Sequence, residues 1–170
     1  LRDKKEIIIR SASEIKSDLQ IEYIKEPITD LDIIVPVTYL GPVMDLLSKK
    51  RGKYRKTEYL SDSVARLSYS TPLSEIITDF YNQLKSVSSG YASMCYKNFD
   101  YQKADLVRLD ILIAGEMDES FSRIVPEDQA YSVGRSMVKR LKELVPRQLF
   151  EVSIQAAIGG KIIARETLKA

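Results

Sequence analysis

The densest concentration of side chains able to bind a ligand is a basic run. Lys49, Lys50, Arg51, Lys53, Arg55 and Lys56 place six cations in the eight positions from 49 to 56. Gly52 and Tyr54 interrupt them, which marks a helix-to-strand corner able to set several ammonium and guanidinium groups against consecutive phosphates. If such a corner neutralised four or five phosphates, affinity would fall with salt at a log–log slope of about 0.7–0.9 per phosphate. The competing reading is a solvated charged face. No aromatic pair suggests a base-stacking platform, so any RNA contact would read backbone and shape. A second basic bias covers the end of the chain: from Tyr131 onward, Arg135, Lys139, Arg140, Lys142, Arg147, Lys161, Arg165 and Lys169 face only Glu143, Glu151 and Glu166. The formal net charge of +2 hides both patches.

Catalytic constellations fare worse. The chain has no histidine, which removes the commonest general base near neutral pH, any Ser-His-Asp or Cys-His site, and the commonest transition-metal ligand. Gly159-Gly160-Lys161 matches the end of a phosphate-binding P-loop in part. The required earlier glycine is Gln155 and the required Ser or Thr is Ile162, so there is no hydroxyl for Mg²⁺ and a tight turn is the better reading. Ser13 with Lys16, and Ser136 with Lys139, have S-x-x-K spacing, a pattern short enough to arise by chance. Asp30 and Asp32 share one side of a strand, but no acidic glycine-bearing loop accompanies them, so exposed strand carboxylates are expected. No catalytic residue and no metal site is assigned. The single Cys95 cannot form an internal disulfide, fits a reducing compartment, and reads as a small core residue.

The elements that must position these residues follow from periodicity. The 170 residues, 44% of them apolar, suffice for a packed core. No apolar run approaches the roughly 20 residues of a membrane-spanning helix, and the charged opening Leu1-Arg2-Asp3-Lys4-Lys5-Glu6 is not a signal peptide. Glu6–Ile9 looks like a strand with nothing before it to pair with. Residues 11–26 read as the end of a preceding domain and a linker. Ile28–Val35 is a strand ended by Pro36. Leu40, Val43, Met44 and Leu47 have helical spacing, with Gly52 as C-cap. Tyr54–Leu60 and Val64–Tyr69 are strands joined by a Ser61-Asp62-Ser63 turn. Pro72 opens a second helix with an apolar face of Leu73, Ile76, Ile77, Phe80 and Leu84. Ser88-Ser89-Gly90 stops it, and Tyr91–Phe99 is a fourth strand. Strand, helix, strand, strand, helix, strand is the ferredoxin-like split βαβ order: a four-stranded antiparallel sheet with two helices on one face and the other face open to a partner. A second small α+β domain follows, with a strand over Asp105–Ala114, a return strand over Phe121–Val125, and a helix from Pro126 to Pro146 on an apolar stripe of Ala130, Val133, Met137, Leu141 and Leu144. In that helix Arg135, Lys139 and Lys142 face outward. A strand over Phe150–Ile158 follows, and after the Gly159-Gly160 turn Lys161–Ala170 begins a helix without a stop signal. Both ends read as cut from a longer chain. The class is α+β.

The residues also carry a family resemblance. Glu26-Pro27, Tyr39-Leu40-Gly41-Pro42-Val43-Met44, Lys50-Arg51-Gly52 and Pro72-Leu73-Ser74-Glu75-Ile76 resemble, in order, the C-terminal domain of elongation factor G and its translational GTPase relatives. Gly90-Tyr91-Ala92-Ser93, the run Ala104 to Leu112, Leu141 to Gln148, Phe150-Glu151-Val152, Ile154 to Gly159 and Lys161 to Thr167 are similar to the LepA (elongation factor 4) family, and the resemblance covers essentially the whole chain.

That resemblance implies a division into residues 1–25 as the end of a preceding domain and linker, 26–102 as an elongation-factor-G-like domain, and 103–170 as a truncated LepA-specific domain. It implies a ribosome-bound GTPase that moves tRNAs one codon backward and supports fidelity under stress. Its GTP, Mg²⁺ and catalytic residues would lie in an N-terminal domain, so this fragment alone would not be an enzyme. The implied partners are the ribosome (rRNA and the stalk base) and tRNA. The implied location is the bacterial cytoplasm, with peripheral inner-membrane association, and the implied state is a monomer. The corner around Lys50-Arg51-Gly52 would face the stalk base and the C-terminal unit would reach toward the tRNA acceptor arm. In that unit Arg147, Lys161 and Arg165 are the candidate contacts, Lys161 and Arg165 lying four apart on the expected last helix. The alternative for Arg147 and Arg165 is an ion pair with Glu151 or Glu166. Reversing Lys50 and Arg51 to Glu is expected to spare folding, both lying beyond the apolar helix face. A stand-alone ferredoxin-like interaction or regulatory module is the alternative function.

Overall fold

A computed structural model describes residues 5–16 and 21–170. Two compact units emerge: one is Lys25–Lys103, the other joins Ala104–Ala170 to the chain before Lys25. The expected linker residues 17–20 lie outside the described residues.

In the first unit β1 (Ile24–Pro36) alternates, with Leu31, Ile33 and Val35 fully buried. It starts before Pro27 rather than after it, and pairing with its neighbour β3 runs from Ile28 to Pro36. A 3-10 turn leads into α1 (Leu40–Lys49), which buries Val43 and Leu47. Then come β2 (Lys53–Tyr59), β3 (Val64–Pro72), the short α2 (Leu73–Ile76), α3 (Phe80–Val87) and β4 (Ser93–Ala104). The sheet order is β2-β3-β1-β4, with β1–β3 and β2–β3 antiparallel, as a ferredoxin-like fold requires. The core joins Leu31, Ile33, Val35 and Leu67 of the sheet to Val43, Leu47, Ile76, Phe80 and Leu84 of the helices. Burying each of these large side chains contributes roughly 1.5–3 kcal/mol.

Three expectations fail here. The second helix is broken into α2 and α3, and Ile77, expected on its apolar face, is 62% exposed. Ile76, Phe80 and Leu84, each four residues apart, complete the buried stripe without it. Gly52 is not the left-handed cap: Arg51 takes φ +55°, and the Gly52 amide donates to the Leu47 carbonyl at 3.1 Å, which is the Schellman closure with arginine at the left-handed position. Gly52 is needed for closeness, since a Cβ there would lie 3.0 Å from that same carbonyl oxygen. Cys95 is exposed rather than buried, because β4 is an edge strand with most of its residues in solvent.

The second unit is built on β5 (Leu106–Ile113), β6 (Glu116–Met117), β7 (Arg123–Pro126), α4 (Ala130–Leu144), β8 (Val152–Ile158) and β9 (Lys161–Leu168). Its strands run β6-β5-β8-β9, with β7 also on β5. The fully buried centre of α4 is Ala130, Gly134 and Val138; Val133, Met137 and Leu141 flank it, while Leu144 is exposed. Gly134 lets the helix approach the sheet: a Cβ would meet Ile163 at 3.0 Å and Ala156 at 3.1 Å.

The expected final helix is instead strand β9, antiparallel to β8 from Val152↔Leu168 to Ile158↔Lys161. Gly159 and Gly160 have φ +55° and +80°, the two positive values of a two-residue type I′ hairpin turn, which returns the chain as a strand. Before Lys25 the segment Glu6–Ile9 forms no strand, with Ile7 and Ile8 exposed. A 3-10 turn at Ala12–Glu14 follows, capped by the Ser11 hydroxyl.

Candidate nucleic-acid interface

The corner after α1 is held by Arg51. Its Nη1 lies 2.6 Å from Glu26 Oε1 and its Nη2 3.1 Å from Oε2, a bidentate fork, while Nε donates to Glu75 Oε1 at 2.9 Å. Glu26 lies near the start of β1 and Glu75 sits in α2, so one guanidinium ties three elements together. Burial works against its charge, but the hydrogen bonds to Glu26 and Glu75 outweigh burial and hold its pKa above the ordinary arginine value. Three motifs that carry the resemblance, the Glu-Pro at 26, the Lys-Arg-Gly at 50 and the Pro-Leu-Ser-Glu at 72, therefore meet at one ion cluster.

The other cations of the run divide into two groups. Arg55 pairs with Asp30 at 2.8 Å and Lys56 with Glu58 at 3.4 Å, Glu58 also meeting Arg66 at 3.6 Å. Asp32 accepts from the Ser68 hydroxyl at 2.7 Å. Asp30 and Asp32 are thus engaged strand carboxylates, and the open sheet face carrying them neutralises much of its own charge. Lys49, Lys50 and Lys53 have no ion pair among the described residues; Lys49 and Lys53 are exposed and Lys50 half-buried. Tyr54 packs edge-on against Tyr69, with ring centroids 5.6 Å apart. An exposed aromatic pair that sequence reasoning missed, Phe99 and Tyr101, lies on β4 with centroids 6.1 Å apart. Their planes cross at 82°, so they present no common stacking surface. The i, i+2 spacing of two aromatics on a strand was the available signal.

In the second unit Arg147 is exposed in the loop between α4 and β8, and neither Arg147 nor Arg165 makes an ion pair among the described residues. Glu166 is taken by Lys142 instead, at 2.7 Å. Lys161, at the exit of the hairpin turn, is also exposed. Lys161 and Arg165 do not share a face. A register shift at Ala156/Ala157 sets Lys161 opposite Ile158 and Arg165 opposite Gln155, residues on opposite sides of β8 by strand alternation. The Arg108-Asp110 pair inside the resemblance motif is structural. Buried Asp110 meets Arg108 Nε at 3.0 Å and accepts from Ser122 at 2.8 Å, and Arg108 Nη1 donates to the Ile15 carbonyl. Among the described residues no group of three or more Asp, Glu or Cys has the arrangement of a metal site, and no helix is long and apolar enough to cross a membrane.

Known proteins share both units. The family model "Elongation factor G C-terminus" matches residues 23–112, and "GTP-binding protein LepA C-terminus" matches residues 113–170. Elongation factor 4 of Clostridium tetani is 45% identical over 168 residues, 99% of this chain and 28% of the relative. Elongation factor 4 of Wolinella succinogenes is 45% identical over 169 residues, with the same shares. Elongation factor 4 of Campylobacter fetus is 50% identical over 161 residues, 95% of this chain and 27% of the relative. The chain therefore spans a little over a quarter of the length of these curated relatives. It belongs to the elongation factor G C-terminus family and continues into the C-terminus of the GTP-binding protein LepA.

Proposed function

We propose that this chain is the ribosome- and tRNA-binding C-terminal portion of a LepA-type translational GTPase, acting in one-codon back-translocation and in fidelity under stress. The whole protein hydrolyses GTP with Mg²⁺ in the part of the relatives that this chain does not span. It works at the ribosome in the bacterial cytoplasm.

One observation carries the binding half of this reading. The Arg51 cluster holds the corner after α1 in place, and Lys49, Lys50 and Lys53 stand on it without an ion partner among the described residues. Cations on a corner already ordered by other bonds lose less freedom on meeting phosphates than cations on a free loop. Contact is therefore assigned to Lys49, Lys50 and Lys53. Arg51 positions them, and Arg55 and Lys56 contribute only where their carboxylate partners let go. Arg147, Lys161 and Arg165 remain contacts of the second unit, as separate points rather than one stripe. Co-sedimentation with ribosomes across a salt series tests the reading, comparing the chain with a variant carrying Lys49→Glu, Lys50→Glu and Lys53→Glu.

A further inference from the structure

The outer side of α4 carries charge that neither the corner nor the three C-terminal arginine and lysine candidates include. Arg135, Lys139 and Lys142 recur at i, i+4 and i+7, so they share one face and span about 10 Å along the axis at 1.5 Å per residue. All three are exposed on the outside of the helix, while Ala130, Gly134 and Val138 bury the other side. Among the described residues one acid forms an ion pair with them: Glu166 of β9, 2.7 Å from Lys142 Nζ. The Glu166 carboxyl is held below the ordinary glutamate range first by Lys142 and then, more weakly, by Lys139 and Arg135. Lys142 thus holds the carboxylate directly while Lys139 and Arg135 act on it only through space, and the stripe keeps a surplus of positive charge.

We propose that Arg135, Lys139 and Lys142 form a binding site for the phosphate backbone of RNA, and that Glu166 is a built-in counter-ion which the arriving phosphates displace from Lys142. RNA is favoured over a protein partner by the chemistry of the surface: three exposed cations within about two helical turns, with the exposed hydroxyls of Ser132 and Ser136 on the same helix, match a row of phosphates. The proposal rests on the RNA-binding reading above and adds a site to it.

Titration of a fluorescent RNA duplex with the chain, read by anisotropy over a salt series, tests it. Arg135→Gln with Lys139→Gln should weaken binding and lower the log–log salt slope by about 0.7–0.9 for each phosphate no longer neutralised. Glu166→Gln should strengthen binding about two- to fivefold, the scale of releasing an exposed ion pair. Circular dichroism of each variant should match that of the parent chain, since Arg135 and Lys139 are exposed and Glu166 is partly so. Unchanged affinity in both variants overturns the site, and weaker binding by Glu166→Gln overturns its role as counter-ion. Equal affinity for poly-glutamate and for the duplex replaces RNA by an acidic protein and also overturns the proposal. If Lys49→Glu/Lys50→Glu/Lys53→Glu abolishes ribosome co-sedimentation while the α4 variants bind RNA normally, only the α4 site falls. If none of these variants alters ribosome or RNA binding, the broader reading falls with it.

Discussion

Arg51 grips both carboxylate oxygens of Glu26, at 2.6 and 3.1 Å, from a position 25 residues away in sequence. The grip explains why a bulky residue occupies the left-handed cap of α1. The conformation costs a residue with a Cβ roughly 1–2 kcal/mol, and the fork to Glu26 together with the bond to Glu75 offsets it. Glu26 is buried, so it depends on this partner for solvation.

Removing Arg51 should therefore unfold the first unit more readily. Arg51→Ala is expected to cost about 3 kcal/mol, because it leaves a buried carboxylate without its cation. Lys50→Ala, one residue earlier, should stay within about 0.5 kcal/mol, as surface changes do. Urea denaturation followed by circular dichroism separates the two, and equal losses would contradict the cluster. Reversal of Lys50 and Arg51 together, which sequence reasoning expected to spare folding, does not isolate binding: Glu at position 51 would face Glu26 and Glu75.

Gly134 makes a second test of packing. Gly134→Val should destabilise the second unit by about 1–3 kcal/mol, the usual cost of overpacking, because its Cβ alone already presses on Ile163 and Ala156. A variant as stable as the parent chain in urea would show that α4 sits farther from the sheet than described.

The Glu166–Lys142 pair has a pH signature. The folded carboxyl titrates below an ordinary glutamate, so the pair contributes above the ordinary glutamate range and is lost as pH falls through the depressed folded value. Both side chains are substantially exposed, so the effect on stability is small and screened by salt. Carboxyl NMR should show Glu166 titrating lower in the parent chain than in Lys142→Ala; identical midpoints would refute the pairing.

The architecture of the first unit was largely legible in the sequence because alternation in Leu31, Ile33 and Val35 and the i, i+4 spacing of Phe80 and Leu84 are local signals. The final strand was not. Ile162, Ile163 and Ala164 fit either period over so short a run, and only the two positive-φ glycines before them decide for a hairpin. The basic run was visible as composition, but its division into paired and unpaired cations was not. Arg51 finds Glu26 and Glu75 25 and 24 positions away, and Arg55 finds Asp30 25 away, distances that only the sheet order closes. The α4 stripe was legible as outward-facing, whereas its counter-ion Glu166 was not, because it comes from a segment read as helix.

Lys49, Lys50 and Lys53 stand at the centre of the binding account as the proposed phosphate contacts of the first unit. Co-sedimentation with ribosomes across a salt series tests that role most directly. Lys49→Glu/Lys50→Glu/Lys53→Glu should pellet less at every salt concentration, with a log–log salt slope shallower by about 0.7–0.9 for each phosphate no longer neutralised and an unchanged urea midpoint. Pelleting and slope equal to the parent chain would contradict the account and return these lysines to a solvated face.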